Sequence, residues 1–186
     1  MKSCKDGVSV YTRDVPHSNL KEMKMSGTVK SSLAGFIAAL TGPELDDPSF
    51  AVTELNIYHD GVPYMRSTID FPFPIKNRDL ITYGIRTQDP KTGVVTIKTT
   101  SVADAYPEQD GYVRMPLLNA KWVLTPLGNG ELQADYFFRS DPGGSIPDWV
   151  TNLMMTIGPP QTFKEIKGLA EKPAYQEKTI EGVTEK

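Results

Sequence analysis

The chain has 186 residues, a formal net charge of −3 and 39% hydrophobic residues. This length and composition predict one globular domain and exclude a disordered chain. Without a basic excess, nucleic acid is excluded as the expected partner. The longest apolar runs fall short of the roughly 18 residues that a membrane-spanning helix needs, and a single cysteine, Cys4, excludes an internal disulfide framework.

Turn signals rich in Gly, Asn, Asp and Pro separate segments in which apolar and polar residues alternate. Such turns are typical of hairpin tips, and such alternation predicts strands with one buried and one solvated face. Because strands joined by short tips are antiparallel neighbours, we expect a long antiparallel meander. The predicted strands are 8–15, 19–29, the two arms of a hairpin over 50–71, 78–87, 93–102, 112–118, 121–127 and 131–140.

Two segments predict helices. The first spans residues 31–40, where Ser31 or Ser32 can serve as a cap and the apolar residues share one stripe. The second spans 145–158 and presents one apolar face. Consecutive prolines, Pro159 and Pro160, remove two backbone donors, so we expect this helix to kink or restart there. The predicted apolar face consists of Ile146, Trp149, Val150, Leu153, Met154 and Ile157.

From Lys172 onward the sequence is polar and unpatterned. We therefore predict a single domain over residues 1–172, followed by a flexible polar tail over 173–186. The sheet has more apolar area than one flat helix can cover, so we expect it to curl around the C-terminal helix. That arrangement can enclose an apolar cavity; a fully interdigitated core without a cavity is the alternative.

Three stretches together resemble the START domain, the steroidogenic-acute-regulatory-related lipid-transfer family. They are "DGVSVYTRDVP", "YMRSTIDFPFPIKNRDL" and "GYVRMPLLNAKWVLTPLGNGELQADYFFRSDPGGSIPDWVTN", which follow one another in the family's order. The resemblance implies an α+β helix-grip fold, in which a curved antiparallel sheet wraps around a C-terminal α-helix and encloses one lipid or sterol. Two features depart from the family pattern: the chain shows no N-terminal helix, and Gly158-Pro159-Pro160 interrupts the C-terminal helix.

Several residues are candidates for contact with an enclosed ligand. The resemblance implies that polar groups at Arg78, Asp79 and Arg114 meet a ligand head group or a buried carboxylate; a structural ion pair that fixes strand register is the alternative. The Tyr83 hydroxyl is a candidate polar anchor, because Tyr83 shares a face with apolar Ile81 and Ile85. The remaining candidates are aromatic or apolar wall and roof residues: Trp122, Tyr136, Trp149, Leu153, Met154 and Ile157.

The predicted function is binding of a lipid or sterol-like molecule by a monomer, with transient membrane contact and lipid transfer. The alternative is a polyketide cyclase or aromatase, a class of enzyme in the wider superfamily that shares this fold. Such an enzyme needs an acid–base pair inside the cavity, whereas His17 and His59 both lie in predicted turns. We therefore expect no catalytic residue, no cofactor and no metal site.

No signal peptide is visible after Met1, so a soluble cytoplasmic protein is expected as the chain stands. An exported or periplasmic protein is the alternative, because a signal removed before this numbering begins would leave no trace.

Overall fold

The computed structural model describes residues 2–5, 7–16, 20–42, 50–146 and 158–185. Within these residues the fold is α+β, with ten strands in one sheet. The strands are β1 (Lys2–Lys5), β2 (Val8–Asp14), β3 (Lys21–Val29), β4 (Phe50–His59), β5 (Val62–Ile69), β6 (Asn77–Gln88), β7 (Val95–Ser101), β8 (Tyr112–Arg114), β9 (Leu117–Gly128) and β10 (Glu131–Asp141). The helices are α1 (Leu33–Thr41), α2 (Gly158–Ala170) and α3 (Pro173–Gln176), with a 3₁₀ turn over Ala103–Ala105.

The sheet has the strand order β1-β2-β3-β10-β9-β7-β6-β5-β4, and all neighbours along this path are antiparallel. The hairpins expected from the turn signals are confirmed. After β3 the chain crosses to β4 at the opposite edge of the sheet. Strand β3 therefore lies between β2 and β10. Strand β8 differs from the expected meander, because its three residues pair parallel to β6.

One face of the sheet, here called the inner face, carries Trp122 and Tyr136 and is covered by α1 and α2. The two rings stack with centroids 4.2 Å apart. The rings of Phe36 in α1 and Phe163 in α2 lie 5.3 and 5.1 Å from the Trp122 ring. These four side chains are all buried. The expected architecture, a curved antiparallel sheet with a C-terminal helix, is confirmed.

Helix α1 begins where its sequence predicts. The Ser32 hydroxyl accepts a hydrogen bond from the Gly35 backbone N–H at 2.9 Å, which satisfies one of the donors that a helix start leaves unpaired. The Glu185 carboxylate accepts two more, from Leu33 N–H at 3.0 Å and Ala34 N–H at 2.8 Å. A carboxylate at a helix N-terminus also interacts favourably with the helix dipole.

The C-terminal segment makes specific contacts, unlike the loose tail expected from its polar composition. Helix α3 places Tyr175 in the core with 5% of its surface exposed. Ile180 and Val183 pack against the same core. Gln88 and Thr184 exchange two hydrogen bonds of 2.7 and 2.9 Å. The three apolar residues are too few and too irregularly spaced to have produced a recognisable pattern in the sequence.

Most of the predicted helix over 145–158 falls outside the described residues, together with Trp149, Leu153, Met154 and Ile157. The predicted kink at the two prolines therefore stays a prediction. Helix α2 includes Pro159 and Pro160 and buries Phe163 and Ile166 against the sheet and α1. No helix in the described part of the chain combines the length and the apolar character needed to cross a membrane.

We predict that Glu185→Ala lowers the free energy of unfolding by about 0.5–2 kcal/mol, because two N–H groups at the start of α1 lose their acceptor. Urea denaturation followed by circular dichroism measures this loss. Glu177→Ala is the matched control, because it removes an exposed carboxylate from the same segment. Equal stability losses in the two variants would contradict a capping role for Glu185.

Candidate functional site

The cross-strand register separates the predicted ligand-binding residues onto two faces. Gly84 lies opposite Thr99, and Thr99 lies opposite Ala120, which is two residues from Trp122 on the inner face. Because side chains alternate along a strand, the even-numbered residues of β6 share that inner face. Arg78 therefore lies on the same face as Trp122 and Tyr136. Asp79 and Tyr83 lie on the opposite face, here called the outer face, and one ligand cannot contact both groups directly.

A buried ion pair occupies the outer face beside β8. Asp79 is 1% exposed, and its two carboxylate oxygens lie 2.8 Å from Arg114 Nε and 2.9 Å from Arg114 Nη2. Asp79 and Arg114 are directly opposite each other in the parallel pairing of β6 and β8. Arg114 Nη1 also donates to the Ala103 and Tyr106 carbonyl oxygens. This geometry favours the structural ion pair, because it fixes β8 and the 3₁₀ turn against the sheet.

Arg66 completes this cluster, and sequence reasoning did not identify it. Its Nε donates to Asp79 Oδ2 at 3.1 Å, and its guanidinium lies 4.8 Å from the centroid of the Tyr112 ring. Its Nη2 is buried and has no hydrogen-bond partner among the described residues. In the sequence, Arg66 resembles any polar residue of an alternating strand. Its role depends on the β5–β6 register, which places Arg66 opposite Ile81 and beside Asp79.

The environment of Asp79 acts on its pKa in two directions. Burial raises the pKa, because it disfavours the charged carboxylate. The hydrogen bonds and positive charges of Arg114 and Arg66 lower it, and their combined effect is larger, so the pKa of Asp79 is below its ordinary value. The carboxylate is thus kept ionised while almost completely removed from solvent.

Arg78 is also buried, but it binds backbone carbonyl groups. Its Nε donates to the Pro142 carbonyl oxygen at 3.2 Å and its Nη2 to the Gly143 carbonyl oxygen at 3.1 Å, while Nη1 donates to Lys76 O. The guanidinium also lies 4.7 Å from the centroid of the Phe71 ring. Burial lowers the pKa of Arg78, although an arginine remains charged at any ordinary pH. Arg78 therefore anchors the turn that follows β10.

That turn requires its glycine at position 143. Gly143 has a φ of +64°, and a Cβ atom there would lie 2.9 Å from Pro116 Cδ. Both the backbone conformation and the close approach exclude a larger residue without strain. Arg78 thus holds a tightly packed turn at the end of the inner face.

Trp122 and Tyr136 form the wall of the inner face at the end covered by α1 and α2. Burial raises the pKa of the Tyr136 hydroxyl, so this group stays protonated. Further along the same face, Ala120 and Phe138 are only partly buried. Tyr83, predicted as an anchor inside the cavity, instead contacts His59 on the outer face, with ring centroids 4.3 Å apart.

No group of three His, Cys, Asp or Glu side chains in the described ranges is arranged to hold a metal ion. The features of the candidate site in these ranges are its apolar inner face, its buried charged side chains and its aromatic wall.

We predict that Asp79→Asn lowers the free energy of unfolding by about 3–5 kcal/mol, because Arg114 and Arg66 both lose their buried carboxylate. Arg114→Met should lower it by less, because Arg66 still pairs with Asp79. Chemical denaturation measures both losses. Asp104→Asn is the matched control, since Asp104 is an exposed carboxylate in the 3₁₀ turn that Arg114 binds. Losses as small as that of the control would show that the ion pair does not stabilise the fold.

We further predict that the stability advantage of wild type over Asp79→Asn depends on pH. The folded-state pKa of Asp79 is lowered, so its contribution is fully present above the unfolded-state pKa of about 3.9 and is lost as pH falls through the folded-state value. Denaturation from about pH 7 to about pH 2.5 tests this. A stability difference that stays constant over that range would contradict a lowered pKa.

Comparisons with known proteins agree with this fold. The START domain model matches residues 55–170. An uncharacterized protein of Pseudomonas aeruginosa is 30% identical over 171 residues, covering 90% of this chain and 84% of that protein. The phosphatidylcholine transfer protein of Bos taurus is 24% identical over 169 residues, covering 86% of this chain and 78% of that protein. The crystal structure of a STAR-related lipid transfer protein from Xanthomonas axonopodis aligns with a TM-score of 0.78 and 25% identity, covering 92% and 98% of the two chains. The chain therefore belongs to the START domain family.

Proposed function

We propose that the chain binds a lipid or sterol-like molecule against the inner face of the sheet, and that it transfers this lipid between membranes. The named relatives include lipid transfer proteins, which supports lipid binding as the general function. The lipid lies on the inner face of the sheet. Trp122 and Tyr136 bound it on one side, and the turn held by Arg78 lies at the end of the same face.

The observation that carries this proposal is the uneven filling of the inner face. At one end, Phe36 and Phe163 pack against Trp122, and all three are buried. Toward the other end the described side chains are small or only partly buried, as at Ala120 and Phe138. Apolar surface that the protein's own core does not fully cover is the surface that an apolar ligand can bury.

The buried titratable groups of this face favour binding over acid–base catalysis. In the described residues these groups are Arg78 and Tyr136. Arg78 uses three of its nitrogens to bind carbonyl oxygens. The raised pKa of Tyr136 makes its hydroxyl a weak proton donor and leaves no tyrosinate near neutral pH to act as a base. Neither group is suited to exchange a proton with a substrate near neutral pH, which disfavours the cyclase alternative.

We predict that Ala120→Phe lowers the amount of bound lipid at least about fivefold, because a larger side chain occupies the space that an apolar ligand would fill. The measurement is native mass spectrometry of the purified protein, with extraction and identification of the lipid. Fluorescent lipid transfer between donor and acceptor vesicles should fall in the same variant.

Val123→Phe is the matched control, because it adds a ring to the outer face of the same strand. This variant should keep the lipid content and transfer rate of wild type, and circular dichroism should show both variants folded. Wild-type protein without bound lipid, or an Ala120→Phe variant with unchanged lipid content, would contradict the proposed location.

A further inference from the structure

A cavity of about 620 Å³ lies in front of one cross-strand row of the inner face, and it is the space of the proposed lipid site. Its volume is within the range of pockets that bind small molecules. In strand order the row consists of Thr12, Met23, Phe138, Ala120 and Thr99. The centre of this row is apolar, so it suits the apolar part of a lipid. The polar group of the lipid needs contacts elsewhere on the inner face.

The next level of the inner face, toward the turn held by Arg78, carries hydroxyl groups. Thr82 of β6 lies opposite Ser101 of β7, one level from the cavity row. Ser140 of β10 lies at the same level, and Ser67 of β5 lies diagonally from Thr82. Because residues two apart on a strand share a face, all four side chains lie on the inner face. We call these four residues the hydroxyl band.

Three of these hydroxyls have no hydrogen-bond partner in the described part of the chain. Ser67, Thr82 and Ser140 are 6, 6 and 5% exposed, so all three are nearly removed from bulk solvent. Their oxygen atoms are not completely enclosed either, so each one borders space that a ligand atom can reach. Ser101 Oγ accepts a hydrogen bond from the Leu118 N–H at 2.9 Å, and its own O–H can still donate. Because an unpaired buried hydroxyl costs free energy, polar atoms of a ligand would stabilise this band.

The cations of the inner face near the cavity are already bound by the protein. Arg78 is the buried cation of this face in the described residues, and three of its nitrogens donate to backbone carbonyl groups. Arg86, on the other side of the cavity row, is exposed and donates to the Glu181 carbonyl oxygen at 2.6 Å. A phosphate placed against the hydroxyl band would therefore be removed from water without a cation beside it, which costs free energy.

A negative charge lies at one end of the hydroxyl band. Glu54 of the edge strand β4 is opposite Met65, and Met65 is opposite Thr82. The Glu54 side chain is exposed, so its charge is partly screened, but it still repels an anionic head group. An uncharged polar group avoids this repulsion and the missing cation.

Within the internal lipid site proposed above, on which this assignment depends, we propose that the hydroxyl band binds the polar end of the lipid. That end is an uncharged oxygen-containing group, such as a hydroxyl or an ester, and not a phosphate head group. Serine and threonine hydroxyls both donate and accept hydrogen bonds, so they can pair with a lipid hydroxyl or with a carbonyl oxygen. Thr82 is the main contact, because Ser101 and Ser67 are its neighbours on the same face.

The test uses three lipids that share one oleoyl chain on glycerol and differ in the head group. Mono-oleoylglycerol is uncharged, oleoyl lysophosphatidylcholine is zwitterionic and oleoyl lysophosphatidic acid is anionic. Each is added to delipidated protein below its micelle concentration, and its affinity is measured by displacement of a fluorescent monoacylglycerol analogue. Native mass spectrometry with lipid extraction identifies the lipid that wild type retains from its host.

We expect wild type to bind mono-oleoylglycerol at least about tenfold more tightly than the two phosphate-bearing lipids, and to retain an uncharged lipid from its host. Thr82→Val removes one hydroxyl with little change in shape. It should weaken mono-oleoylglycerol binding about threefold to tenfold, since one hydrogen bond is lost. Thr100→Val is the matched control, because Thr100 precedes Ser101 in β7 and lies on the outer face; its affinity should stay within about twofold of wild type.

Thermal melting separates a ligand contact from a structural hydrogen bond. Without lipid, Thr82→Val should melt at the same temperature as wild type or higher, because it removes a buried hydroxyl that the described protein does not pair. With mono-oleoylglycerol, wild type should gain more stability than the variant, because it binds this lipid more tightly. A lipid-free Thr82→Val variant that melts lower and keeps the wild-type affinity would show that this hydroxyl serves the fold, which would overturn the assignment.

A phospholipid as the preferred or retained lipid, or equal affinities in Thr82→Val and Thr100→Val, would also overturn the assignment while leaving the internal lipid site in place. Wild type that retains no lipid, together with no displacement by any of the three probes, would instead contradict the proposed function itself. The two failures can thus be told apart.

Discussion

Two adjacent charged residues, Arg78 and Asp79, are buried on opposite faces of β6, and the segments covering both faces depend on them. Arg78 binds the carbonyl groups of the turn after β10 on the inner face. Asp79 binds Arg114 on the outer face and, through it, the 3₁₀ turn and the segment before β8. Because alternation along a strand sends neighbours to opposite sides, one dipeptide holds chain segments on both faces of the sheet.

Both buried charges are compensated, but by different groups. Asp79 is matched by two guanidinium groups, so its ionised form is favoured over the neutral form despite burial. Arg78 is matched by backbone carbonyl dipoles and the Phe71 ring. Arg78 can donate to the carbonyl oxygens of this turn only while the turn keeps its conformation. These hydrogen bonds therefore favour one conformation of the Gly143 turn. Separating a buried charge from its partners costs free energy. The contacts of Asp79 and those of Arg78 therefore each favour a single folded arrangement.

The sequence was sufficient where the determinant was local. Helix α1 was predicted from Ser32 and its apolar stripe, and the hairpins from their turn residues and alternation. It was insufficient where the determinant was a cross-strand register. Tyr83 does share a face with Ile81 and Ile85, as predicted, but only the register with β7 and β9 shows that this face is the outer one. Arg66 was missed for the same reason, and Glu185 because its helix partner lies about 150 residues away in the chain.

The two faces of the sheet provide different physical environments. On the inner face, side chains such as Trp122 and Tyr136 lie in a low-dielectric environment, and the main contribution there is removal of apolar surface from water. On the outer face, Lys98 and Lys121 are in contact with solvent, where dissolved salt screens their charges. Consecutive residues of β9, Ala120 and Lys121, belong to these different environments. Strand alternation, rather than a second domain, is thus what gives one sheet an apolar side and a charged side.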